Sequence, residues 1–161
     1  MSVVEDIAAF LNEVGVPCRS APLPEATFLP GLLLEAGALV FDPERLAFPG
    51  DLLHEAGHIA TAAPSARTQL SGNIVGTPGD EMAAIAWSYA ACMHLGLDVR
   101  VLFHPAGYKG GSESLIASFA TRQPVGVPLL AWYGMTTVAT GTDGAFPAMR
   151  CWLRMTEPPA S

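Results

Sequence analysis

Positive charge is scarce in this chain of 161 residues: eight Lys and Arg stand against fifteen Asp and Glu, a formal net charge of −7. Binding to nucleic acid needs a basic face to meet phosphates, so that class of partner is not expected. The single lysine, Lys109, leaves no material for a polybasic membrane patch. Cysteine is also sparse. Cys18, Cys92 and Cys151 are odd in number, far apart and in no CxxC pair, which excludes a disulfide framework and points to reduced thiols in a cytoplasmic protein.

A long uninterrupted apolar run is missing too, although the mean hydropathy is positive. The longest uncharged stretch, residues 123–142, is broken by Pro124, Gly126, Pro128, Gly134 and Gly141. Spanning a bilayer takes about 20 consecutive apolar residues in a helix, so no membrane segment is expected. The opening "MSVVEDIAAFLNE" has early acids and no basic n-region, and no secretory signal is read there. What is present in quantity is apolar surface. Half of the chain is hydrophobic and 14% is charged, the reverse of a disordered composition. Without repeats, low-complexity tracts or a charged linker, residues 1–161 read as a single domain.

Val3, Ile7, Phe10, Leu11 and Val14 have helical spacing, closed by Gly15 and Pro17. "APLPEATFLP" reads as extended loop, and "LLLEAGALVF" as a hairpin around Glu-Ala-Gly. Asp51 suits the N-cap of a helix that stops at Pro64. Residues 64–76 read as a polar connection with room for one short strand. Thr77, Pro78 and Asp80 form the start signature of a strong helix that Gly96 ends. "DVRVLF" alternates like a strand, "SESLIASFATRQ" reads as a helix, and Ala148, Cys151, Trp152 and Met155 mark a short final helix. The segment 126–140 is ambiguous. The three tryptophans, Trp87, Trp132 and Trp152, are read as core or interface packing. The class implied is α+β, with helices outweighing strands.

One motif carries chemistry. "HEAGH" places His54 and His58 four apart, so on a helix both imidazoles project from one face toward a common ion. Glu55 points to the side, within reach of a water at that ion without ligating it. Gly57 costs helix propensity, about 1 kcal/mol relative to Ala, and implies close packing. A third ligand is needed, and Glu81 is the choice: a second helix packed against the first could present its carboxylate to the same ion. Asp80 competes but is accounted for by the cap. His94 and His104 remain alternatives to Glu81. His94 lies about 20 Å along the helix from Glu81, so those two cannot share a site. "GYKGGSES" is a Gly-rich loop without the order of a phosphate-binding loop.

"HEAGH" followed by a helix opening "DEMAAIAWSYAA" resembles the gluzincin layout, and is similar to the ImmA/IrrE-type bacterial metallopeptidases over roughly residues 38–96. Ile85 stands where that family usually has Asn. The resemblance implies a small zincin-like domain with a short β-sheet and two metal-bearing helices. It makes His54, His58 and Glu81 ligands of Zn²⁺ and Glu55 the catalytic base. The activity implied is hydrolysis of a peptide or protein substrate through a metal-activated water. Tyr133, His104 and Tyr108 are candidate oxyanion donors, with Tyr133 taken first. The alternative is a non-catalytic metal-binding or regulatory protein on the same scaffold. The ligand set does not by itself separate zinc from Mn, Co or Fe, and oligomeric state is not legible.

Overall fold

The computed structural model describes residues 1–24, 26–74, 76–121, 124–138 and 144–160. Among these residues it is α+β, with six α-helices and one three-stranded sheet. Helix α1 (Val3–Val14) starts at a capping box in which Ser2 and Glu5 satisfy each other's backbone N–H, and Gly15 closes it at φ 95°. Its buried face is Ile7, Phe10 and Leu11. Strand β1 (Cys18–Ser20) follows, a strand with no alternation long enough to announce it.

The expected hairpin is present as β2 (Leu32–Glu35) and β3 (Ala38–Phe41), paired antiparallel with Leu33 opposite Val40. Ala36 and Gly37 both take positive φ, 50° and 75°, as a two-residue turn between twisted strands requires. β1 joins β3 in parallel, so the order is β1-β3-β2 and β2 lies at an edge.

Helix α2 (Gly50–Thr61) and helix α3 (Pro78–His94) form the centre of the molecule. A Cβ added at Gly57 would stand 2.5 Å from the carbonyl oxygen of Ala84, so the two backbones touch at this point. This is the packing reason for a glycine in mid-helix. α3 is alanine-rich where it is buried, with Ala83, Ala84, Ala86, Ala90 and Ala91 fully covered and Trp87 beside them. Its start is the Thr77–Asp80 capping box with Pro78 in the first turn.

Several expectations fail for local reasons. Asp51 is not the N-cap of α2; Pro49 holds that place without a side-chain bond, and Asp51 lies inside the first turn. Residues 67–69 form a 3₁₀ turn where a strand was allowed. "DVRVLF" holds the one-turn helix α4 (Val99–Leu102), because the Asp98 carboxylate accepts from Arg100 N–H and caps it. The expected final helix is absent, and residues 151–160 take tertiary partners in place of helical ones. Trp152 O accepts from the Trp87 indole, and Arg154 N donates to Ala60 O. The helix read over residues 112–123 is α5 (Ser112–Phe119), which stops four residues short of that range with 122–123 outside the described residues, and α6 (Val127–Trp132) takes the first part of the ambiguous stretch, whose residues 139–140 also lie outside them. Trp87 is buried and Trp152 half-buried, but Trp132 is 73% exposed and is not core. Cys18, Cys92 and Cys151 are free thiols, and burial pushes Cys18 and Cys92 up to about 11. No helix among the described residues is long and apolar enough to cross a membrane.

Candidate metal centre

The contact of Gly57 with Ala84 sets the geometry of the site. His54 lies one turn before Gly57 on α2 and His58 directly after it, while Glu81 lies one turn before Ala84 on α3. With the helices touching there, the three side chains converge. His54 Nε2 is 3.3 Å from Glu81 Oε1, His58 Nε2 is 3.0 Å from Glu81 Oε2, and the two Nε2 atoms are 3.3 Å apart.

These separations can be tested against a metal. Two ligand atoms about 2.0–2.1 Å from a tetrahedral centre lie about 3.3 Å from each other. The three distances match that spacing, and the donor set of two imidazoles and a carboxylate suits a zinc-like ion. Asp80, the competing carboxylate, binds the backbone and hydroxyl of Thr77. His94 ends α3 among Phe10 and Trp152, away from the triad. His54, His58 and Glu81 therefore form a group that could hold a metal ion.

Electrostatics couple the three groups. Hydrogen bonds from His54 and His58 hold the Glu81 carboxyl far below the ordinary carboxylate range. For His54, burial opposes the charged form, but the bond to Glu81 and the nearby carboxylates outweigh it and raise its pKa. His58 is 8% exposed, whereas the Glu81 side chain keeps 47% exposure, so the cluster opens to solvent on the α3 side.

Glu55 stands beside this group. Burial raises its carboxyl above the ordinary value, against the pull of His54 and His58. No hydrogen bond or ion pair occupies it among the described residues. It borders a cavity of about 110 Å³ lined by Thr27, Phe28, Leu29, β2 residues 32–34 and Gly72. Phe28 is 66% exposed at this cavity. The hairpin was legible in sequence, but nothing local signalled that the edge of β2 would face Glu55.

The three candidate oxyanion donors separate. Tyr133, taken first, is engaged with Arg154, whose guanidinium lies 3.9 Å over its ring. No described contact brings Tyr133 to the triad. Tyr108 is the tyrosine at the site, with its hydroxyl 3.3 Å from His54 Nδ1, and burial strongly raises its pKa. His104 is buried and bonded to Asp51 rather than facing the cluster.

No protein-family model matches the chain, and neither a curated protein nor a solved structure matches it significantly.

Proposed function

We propose that this chain is a zinc-dependent peptidase with a zincin-like fold of gluzincin type, related in design to the ImmA/IrrE-type metallopeptidases. The observation that carries this reading is the triangle of His54, His58 and Glu81 at tetrahedral ligand spacing, with the Glu55 carboxylate beside it, which has no hydrogen bond or ion pair among the described residues. His54 and His58 supply neutral nitrogen donors and Glu81 an anionic oxygen. Zinc held there supplies Lewis acidity, polarising a carbonyl and lowering the pKa of water toward about 7.

Glu55 accepts the proton of the attacking water and delivers it to the leaving amine. Its raised pKa suits that role, because a base must also give the proton back. The substrate is a peptide or protein segment. The cavity between Phe28, β2 and Glu55 takes an apolar side chain of that segment.

The smallness of that cavity, about 110 Å³, favours a second reading, a metal-binding or regulatory protein that keeps the scaffold without turnover. The experiment is hydrolysis of a mixed peptide library by zinc-loaded protein, wild type against Glu55→Gln. Cleavage by wild type and its loss in a variant that still binds zinc supports the peptidase. Equal zinc binding with no cleavage by either protein supports the second reading.

A further inference from the structure

His104 organises the segment between α4 and α5. It is 7% exposed, its ring stacks on Phe48 with centroids 3.9 Å apart, and its Nε2 lies 2.8 Å from Asp51 Oδ1. A carboxylate only accepts, so the Nε2–H of His104 donates to Asp51. The carbonyl of His104 accepts from the Ser112 hydroxyl at 2.6 Å and from Gly107 N–H at 3.1 Å. The 104–112 loop is thus closed on one residue. That residue is fastened to the first turn of α2, one turn before His54.

Tyr108 sits within this loop. Its hydroxyl is 3.3 Å from His54 Nδ1, and its ring stands edge-on to His54 and to Phe103, with centroids 5.3 and 5.2 Å away. Tyr108 and Lys109 both have positive φ, 56° and 52°. Side chains rarely adopt that region, and such positions are held only when their surroundings over-determine them. Glycine would fit this backbone more easily, and the loop already uses Gly107, Gly110 and Gly111. Tyr108 thus occupies a backbone conformation that a residue with a Cβ disfavours.

We propose that Tyr108 is a positioning residue for His54, accepting its Nδ1–H so that Nε2 faces His58 and Glu81, and that the Asp51–His104 pair is the bolt holding Tyr108 in position. The inference rests on the metal reading of the triad. Histidines that ligate metals donate their other N–H to a fixed acceptor, which sets ring orientation and tautomer. Losing such an acceptor weakens metal binding about 10- to 100-fold. Here the acceptor is a phenol on a loop, so its placement depends on what anchors the loop.

The test is zinc affinity by chelator competition for wild type, Tyr108→Phe, Asp51→Ala/His104→Phe and the triple variant, with the visible spectra of the cobalt-loaded proteins. The paired substitution removes both bolt groups and leaves no buried partner stranded. Tyr108→Phe is expected to bind zinc about 10- to 100-fold more weakly with shifted cobalt bands. The bolt variant weakens binding too, and the triple variant is no weaker than Tyr108→Phe, because both act through one residue. If the bolt variant does not fold, Ser112→Ala, which cuts the loop's other tie, takes its place. Zinc affinity for Tyr108→Phe within about twofold of wild type, with an unchanged cobalt spectrum, overturns the role of Tyr108. Losses that multiply in the triple variant overturn the bolt. A wild-type protein that binds no zinc overturns both and the metal reading beneath them, a result that His58→Ala measured alongside makes recognisable.

Discussion

Helix α2 carries two groupings of the same chemistry one turn apart, and they have opposite characters. At Asp51–His104, one imidazole meets one carboxylate in a sealed setting, stacked on Phe48, with both side chains largely covered. At His54–His58–Glu81, two imidazoles meet one carboxylate that is half open to water. The first is a closed pair shielded from solvent and serves as a fastening. The second has three donor atoms at ligand spacing and an open side, and Glu55 stands beside it without a partner among the described residues. The number of converging donors and access to solvent, rather than residue type, separate a bolt from a metal site.

The largest expected effect lies on the chemistry of the open grouping. Glu55→Gln should lower peptide hydrolysis by about 10²- to 10⁴-fold while leaving zinc content intact, since it removes a base and no ligand. Steady-state cleavage together with metal analysis reads both quantities. Removing a ligand comes next. If about 10–16 kcal/mol of zinc binding is shared over the three protein ligands, His58→Ala or Glu81→Ala should weaken binding roughly 10²- to 10⁴-fold in a competition titration.

The sealed grouping should respond in the other currency, stability. Asp51→Ala strands a buried His104 donor and should lower apo-protein stability by about 1–3 kcal/mol in urea unfolding. An Asp51→Ala protein as stable as wild type would erase the distinction between the two groupings. Gly57→Ala strikes the contact that builds the open one. Its methyl would fall 2.5 Å from the Ala84 carbonyl oxygen, and forcing the helices apart should destabilise by about 1–3 kcal/mol and weaken zinc binding together.

The smallest effect is a dependence on pH. His54 has a raised pKa, so its bond to Glu81 contributes stability below the ordinary value of 6.5 and loses it as pH rises through the higher folded value. Glu81 has a depressed pKa, so its contribution is present above the ordinary 4.5 and is lost as pH falls. Both are present between these ordinary values. The apo-protein difference between wild type and Glu81→Gln, measured by thermal unfolding, should therefore peak there and shrink on the alkaline side.

Much of this arrangement was legible before any coordinates, and the parts that were not share a cause. The Gly15 stop of α1, the capping box of α3, the turn around Glu35, Ala36 and Gly37 and the HEAGH face are written in consecutive residues, where local chemistry decides the outcome. Glu81 was reachable because it opens the next strong helix, and Gly57 because a mid-helix glycine needs a reason. The failures came where tertiary partners took over. The final segment has helical apolar spacing, yet its backbone bonds to Ala60 and the Trp87 indole instead of to itself. Asp51 looked like a cap because its partner, His104, lies 53 residues away. The sequence reading took Tyr133 before Tyr108, but which tyrosine reaches His54 depends on a loop closed by Ser112 and His104.

The central claim is that α2 and α3 together hold one metal ion, and elemental analysis tests it most directly. Protein purified without a histidine tag, supplied with zinc and then dialysed, should retain about one zinc per chain. His58→Ala and Glu81→Ala should each retain almost none. Wild-type protein without zinc after this treatment, or zinc retained at the wild-type level by His58→Ala and Glu81→Ala, would contradict the account.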